Sequence, residues 1–153
     1  MGPFARAATA LVATLGTLIV VAQPAAATSL IPASGNFSDV TTSVQVRFAD
    51  GNTIITQTVT QTLTGTFAGT ASQQNTTVVH PTGAVNFFGS ETCTCVVQGI
   101  SGSVVFGFSG TVAPNGSLDG QFVILSGTGG LANLNGRGTL QGLNSYTGVI
   151  HFD

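Results

Sequence analysis

Between Thr56 and Thr66 every second residue is threonine, and the odd positions beside them carry Ile55, Gln57, Val59, Gln61, Leu63, Gly65 and Phe67. Side chains of an extended strand point alternately to opposite faces. The spacing therefore makes one face a threonine ladder and the other mainly apolar. Wound into a helix, the same residues would scatter around the axis and form no apolar stripe. A strand near residues 53–67 follows. The same period recurs in Val44, Val46 and Phe48, which leaves Arg47 opposite. It recurs again in Val104, Phe106 and Phe108, in Phe122 and Ile124, and in Tyr146, Ile150 and Phe152.

Turn signals cut these runs at short intervals: Asp50-Gly51-Asn52, Pro81-Thr82-Gly83, Gln98-Gly99, Pro114-Asn115-Gly116 and Leu143-Asn144. Gly, Asn and Asp supply the positive φ that tight hairpins need. About eight strands are expected, near 35–48 (bent), 53–67, 75–80, 84–97, 101–112, 118–126, 136–142 and 146–152. Hairpin spacing of this kind suits an all-β fold, either an antiparallel eight-stranded up-and-down β-barrel or a sandwich. A closed barrel also hides its strand edges, which a chain without lysine cannot protect by charge. One short helical turn is expected near 130–135, where Leu131 and Leu134 lie between glycines.

Only 8 of 153 residues are charged: Arg6, Arg47, Arg137, Asp39, Asp50, Glu91, Asp119 and Asp153. An ordinary soluble domain has roughly 25%. A chain this poor in cations builds no basic patch, so nucleic acid is excluded as a partner. The beginning of the chain has the layout of a secretory signal peptide: Arg6, then uncharged Ala7 to Ala22, then Gln23-Pro24 and the small pair Ala25 and Ala27. Residues 1–27 are read as that peptide and 28–153 as one secreted β-barrel domain, with no membrane attachment after cleavage. The alternative is a retained anchor, for which 16 uncharged residues are near the lower limit.

Several stretches resemble one family. They are "SVQVRFADGNTIITQ" (43–57), "GTFAGT" (65–70), "GAVNFFGSET" (83–92), "GISGSVVFGFSGT" (99–111), "GSLDGQFVILSGTGGLANLNGRGTLQG" (116–142) and "YTGVIHF" (146–152). They are similar to secreted bacterial domains of unknown function placed with the allene-oxide-cyclase and dirigent-like β-barrels. "SGTGGLANLNGRGT" (126–139) is the most specific piece. The resemblance implies an eight-stranded barrel of the allene-oxide-cyclase, calycin-like kind with an internal cavity. It implies no assigned activity. Allene oxide cyclases and dirigent proteins bind apolar substrates inside such barrels and steer cyclisation or radical coupling, an analogy at the level of fold.

Few groups are left to do chemistry. Glu91 has the same parity as Cys93, Cys95 and Val97. If that face is interior, Glu91 lies at or in the barrel mouth, where burial would raise its pKa and suit it to acid–base work. The alternative is a wall glutamate held by hydrogen bonds or by an arginine. Arg137, between Gly136 and Gly138, is the cation that could reach inward. Gln57 and Gln61 on the inner-looking face suggest a partly polar cavity or a bulge that reverses parity. Tyr146 shares the apolar face of the last strand. Cys93 and Cys95 point the same way at the edge of disulfide range, so a local disulfide and two small buried hydrophobes both remain open.

No metal site is expected, because two histidines, His80 and His151, cannot make a three-histidine centre. "GTGGLA" (127–132) matches a dinucleotide-binding glycine pattern, but no βαβ unit follows it, so no cofactor is expected. The favoured reading is a secreted, non-enzymatic barrel that binds a small apolar molecule or serves at the cell surface. The alternative is an isomerase of the cyclase or dirigent kind, with Glu91, Tyr146 and Arg137 around the substrate. A third is an interaction protein that docks through its threonine face.

Overall fold

The computed structural model describes residues 29–153, and the expected signal peptide, residues 1–27, lies outside the described residues. Eight strands run in chain order: β1 (Ile31–Ala49), β2 (Asn52–Gly65), β3 (Ala68–Val79), β4 (Val85–Val97), β5 (Ile100–Val112), β6 (Leu118–Gly129), β7 (Leu134–Gln141) and β8 (Ser145–Phe152). Each pairs antiparallel with the next, and β8 returns to β1, so the sheet closes into a ring. Two connections are two-residue hairpins. Asp50-Gly51 and Gln98-Gly99 have φ between 51° and 78° at all four residues. That is the doubly left-handed turn whose twist matches paired strands.

The alternation of β2 is realised as drawn from its sequence. Val59, Gln61, Leu63 and Phe67 are buried, while Thr56, Thr60, Thr62 and Thr64 face solvent. Two expectations change. β3 begins at Ala68 rather than 75, because its inward residues Ala71, Gln73 and Asn75 are small or amide-bearing and give no apolar alternation to read. No helix forms among the described residues. Residues 130–133 make a turn carrying i→i+3 backbone bonds from Leu131, Ala132 and Leu134 to Thr128, Gly129 and Leu131. Leu131 and Leu134 are nevertheless buried.

The face shared by Val44, Val46 and Phe48 also departs from expectation, for it does not pack inside. β1 pairs with β8 only from Ile31 to Asn36. Beyond Ser38 its ladder runs along β2 alone, and a register shift between Thr41 and Ser43 bends it. Past that point the outer edge of β1 is unpaired among the described residues, while β2 stays paired with β3 as far as Thr53, and Val44, Val46 and Phe48 are exposed.

The core fills one end of the ring. Ala33, Cys93, Cys95, Val97, Val104, Leu131 and Ile150 are buried there, with Phe67 above them. Higher up, rings lie across glycines on the facing strand. Phe108 pairs with Gly89, Phe87 with Gly110 and Phe122 with Gly138. A Cβ at any of these glycines would come within 2.5–2.6 Å of the ring. Removing the side chain from one strand so that an aromatic can cover it is a recurrent way of packing a curved sheet.

Candidate functional site

A cavity of about 320 Å³ opens above Phe67, near the loops that join β3 to β4, β5 to β6 and β7 to β8. Its floor is a cluster of aromatic rings. Phe67 meets Phe106 edge-on at 4.9 Å between centroids, and Phe106 meets Phe122 at 6.0 Å. Phe37, Phe87, Leu118 and Leu140 line it higher up, and the rim includes Leu143. The register leaves this space because β4 presents inward, in order, Val85, Phe87, Gly89, Glu91, Cys93, Cys95 and Val97. Large and small residues alternate near the rim, and only compact ones occupy the bottom.

One wall is polar. Gln61 donates through Nε2 to Asp39 Oδ1 at 2.8 Å, and Asn75 Nδ2 donates to Gln73 Oε1 at 3.0 Å. Glu91 pairs in register with Gln73 on one side and Phe106 on the other. It is only 6% exposed, and its Oε1 has no hydrogen-bond partner; Asn75 Oδ1 is likewise buried and unpartnered. Burial raises the Glu91 pKa from 4.5 to about 7, the negative charge of Asp39 adds to the rise, and a hydrogen bond from the Gln73 side chain opposes it. Glu91 is therefore a carboxyl that takes up or gives back a proton near neutral pH, as an acid–base group must.

Tyr146 contributes its ring to the cavity but not a free hydroxyl. The phenol lies across Gly35 from β8, accepts from Phe67 N–H at 3.0 Å and donates to Thr64 C=O at 3.2 Å. It ties β8 to β2 over β1, and a side chain at Gly35 would collide with it. Burial raises its pKa, the bond from the Phe67 amide opposes this, and the Glu91 charge adds to the rise.

Arg137 does not reach the interior. It is exposed and lines a broad depression on the outer surface with Thr139, Thr147 and Val149. The glycines on either side point inward instead, Gly138 because Phe122 lies over it. Gln57 is half-buried, in register with Val44 and Asn75, and does not line the cavity; its parity is inward, at a height where β1 no longer pairs with β8. Gln61 is buried in the cavity wall. Cys93 and Cys95 are joined as a disulfide with Cα atoms 5.5 Å apart, and no register shift interrupts β4 there. The local contraction of one strand suffices without a bulge.

Asp39, Gln73 and Asn75 escaped the reading of the sequence. Asp39 follows Phe37 at a spacing of two, which marks a shared face. Gln73 and Asn75 alternate in the same way within "SQQN", but a polar inner face reads like a loop. The two histidines lie apart. His80 Nδ1 is 2.9 Å from Asn52 Oδ1, and His151 Nε2 is 3.5 Å from Asp153 Oδ1. Among the described residues no group of three or more His, Cys, Asp or Glu could hold a metal ion.

Residues 33–152 match a family described as "Protein of unknown function (DUF3224)", and the chain belongs to that family. The crystal structure of a protein of unknown function from the same family in Shewanella oneidensis MR-1 is similar in fold, with a TM-score of 0.67 at 16% identity. The match covers 82% of this chain and 98% of the other. A search among curated proteins finds no match to the chain.

Proposed function

We propose that this chain is a secreted, non-enzymatic β-barrel that carries a small apolar molecule in its interior. The observation that carries the proposal is the cavity above Phe67, whose volume of about 320 Å³ lies at the lower end of the range for small-molecule sites. Phe67, Phe106, Phe108 and Phe122 line it without filling it. An up-and-down barrel of the allene-oxide-cyclase, calycin-like kind holds its ligand in this place. Secretion is supported by the three-part layout of residues 1–27 and by a disulfide in a chain with two cysteines. The exposed threonines of β2 and the inward Phe67, Phe106 and Phe122 run against the apolar-out, polar-in arrangement of a membrane-spanning barrel, which supports an aqueous setting after cleavage.

N-phenyl-1-naphthylamine, a neutral dye that brightens in apolar surroundings, tests the reading. Saturable one-to-one binding by the secreted protein is expected. Leu118→Trp at the rim is expected to reduce it by about tenfold or more. A fluorescence titration without saturation would refute the reading.

The second reading is an isomerase acting on an apolar substrate, and Glu91 alone favours it. A carboxyl near its midpoint at neutral pH can move a proton on a bound molecule. Tyr146, whose hydroxyl serves two backbone groups, and Arg137, which stands outside, bring nothing to such a step. Binding is therefore placed ahead of catalysis.

A further inference from the structure

The polar wall is one-sided in its hydrogen-bonding capacity. Each amide nitrogen of this wall already has an acceptor: Gln61 donates to Asp39, Asn75 to Gln73, and Gln73 to Glu91. Acceptors remain over. Glu91 Oε1 and Asn75 Oδ1 are buried with no partner, and Glu91 lines the cavity while only 6% exposed. A buried acceptor left unmatched costs about 1–3 kcal/mol, more when it is charged.

Charge points the same way. Asp39 and Glu91 are the charged residues lining the cavity, and both are acids. Arg47 and Arg137 lie outside it and are exposed. An anionic head would meet two carboxyls and no cation, whereas a cationic donor would meet both acids and the spare acceptors.

We propose that the cavity's occupant is an apolar amine, whose aromatic or aliphatic body lies on Phe67, Phe106 and Phe122 and whose protonated nitrogen donates to Glu91 Oε1. The inference deepens the binding reading above and rests on it. Asp39 on β1 faces Glu91 as a second negative charge, and Asn75 Oδ1 offers a further acceptor. The remaining titratable neighbour is Tyr146 on β8, whose hydroxyl is spent on backbone. Near neutral pH an arriving ammonium ion displaces the proton held by Glu91, which passes to solvent, and the carboxylate so formed pairs with the cation. Apart from this proton transfer no covalent bond changes.

Four naphthalenes of matched shape separate the parts of this argument: 1-naphthylmethylamine, 1-naphthalenemethanol, 1-methylnaphthalene and 1-naphthoic acid, titrated calorimetrically into the secreted protein at pH 7. The amine is expected to bind at least about tenfold tighter than the hydrocarbon, and the acid at least about tenfold weaker. Glu91→Gln is expected to bring the four within about threefold of one another. Asp39→Asn, at an exposed rim position where folding is not at risk, is expected to narrow the gap between amine and acid in the same direction. If all four bind alike, or the alcohol matches the amine, or the acid binds best, the inference falls and the binding reading stands. If none binds, both fall.

Discussion

β4 crosses two different interiors within one strand. From Cys93 to Val97 its inward residues are compact, every one is at most 3% exposed, and the ring around them is filled by Val104, Leu131 and Ile150. From Glu91 to Val85 the inward residues alternate in size, the facing wall carries amides and acids, and a cavity remains. Both halves obey the same period of two. Side-chain volume and polarity separate them. Compact apolar groups interdigitate to crystal-like density, whereas rings laid over glycines and paired amides hold their positions without closing the space between them. The packed end supplies stability, and the open end can be spared for a ligand.

This contrast is sharpest where the packed end meets the cavity floor. Phe67→Ala removes a ring that is 1% exposed and touches Phe106, Phe122 and Tyr146. A loss of about 3–5 kcal/mol is expected by denaturant unfolding. A loss below about 1 kcal/mol would show that the packed end is not what holds the ring together.

The open end is expected to oppose folding in a pH-dependent way. The Glu91 carboxyl has a pKa of about 7 folded against 4.5 as an unperturbed group. Between these values the folded protein holds a proton that the unfolded chain has lost, so stability falls as pH rises from about 4.5 to about 7 and levels off above. The shift corresponds to on the order of 3 kcal/mol. Glu91→Gln should remove this slope, leaving a variant more stable than the parent at pH 8 and similar to it at pH 4. Parallel unfolding curves for the two proteins across that range would place Glu91 in water rather than in the wall.

A smaller effect is expected where the two ends are tied. Tyr146→Phe keeps the ring and takes away the hydroxyl that satisfies Phe67 N–H and Thr64 C=O. The buried amide is then unpaired, at a cost of about 1–2 kcal/mol. Binding of N-phenyl-1-naphthylamine should persist in this variant, because the cavity wall is unchanged. Loss of the dye without loss of stability would move Tyr146 from a structural role to a binding one.

Much of this was legible beforehand, and the limits have physical causes. Thr56 to Thr66 fixed both faces of β2, and Asp50-Gly51 and Gln98-Gly99 fixed two hairpins, because alternation and positive φ are local properties of the chain. β3 was half hidden, since its inward residues Ala71, Gln73 and Asn75 are small or amide-bearing and make no apolar alternation. Glu91 could be singled out from its parity with Cys93 and Cys95. Its neighbours Asp39 and Gln73 come from other strands, and their meeting depends on register. Gln57 and Arg137 failed as cavity residues for a different reason. Gln57 has inward parity at a height where β1 has left β8, and Arg137 is turned out by the ring that covers Gly138.

The sequence by itself determined that the chain would be strands, where most of them turn, and that hardly any charge could lie inside. Tertiary structure alone decided that those strands close with a cavity at one end, that the spare acceptors of Glu91 and Asn75 lie along the same wall, and that Arg47 and Arg137 stand outside. Periodicity is written in neighbours along the chain; closure, register and the volume left over are set by residues far apart in it.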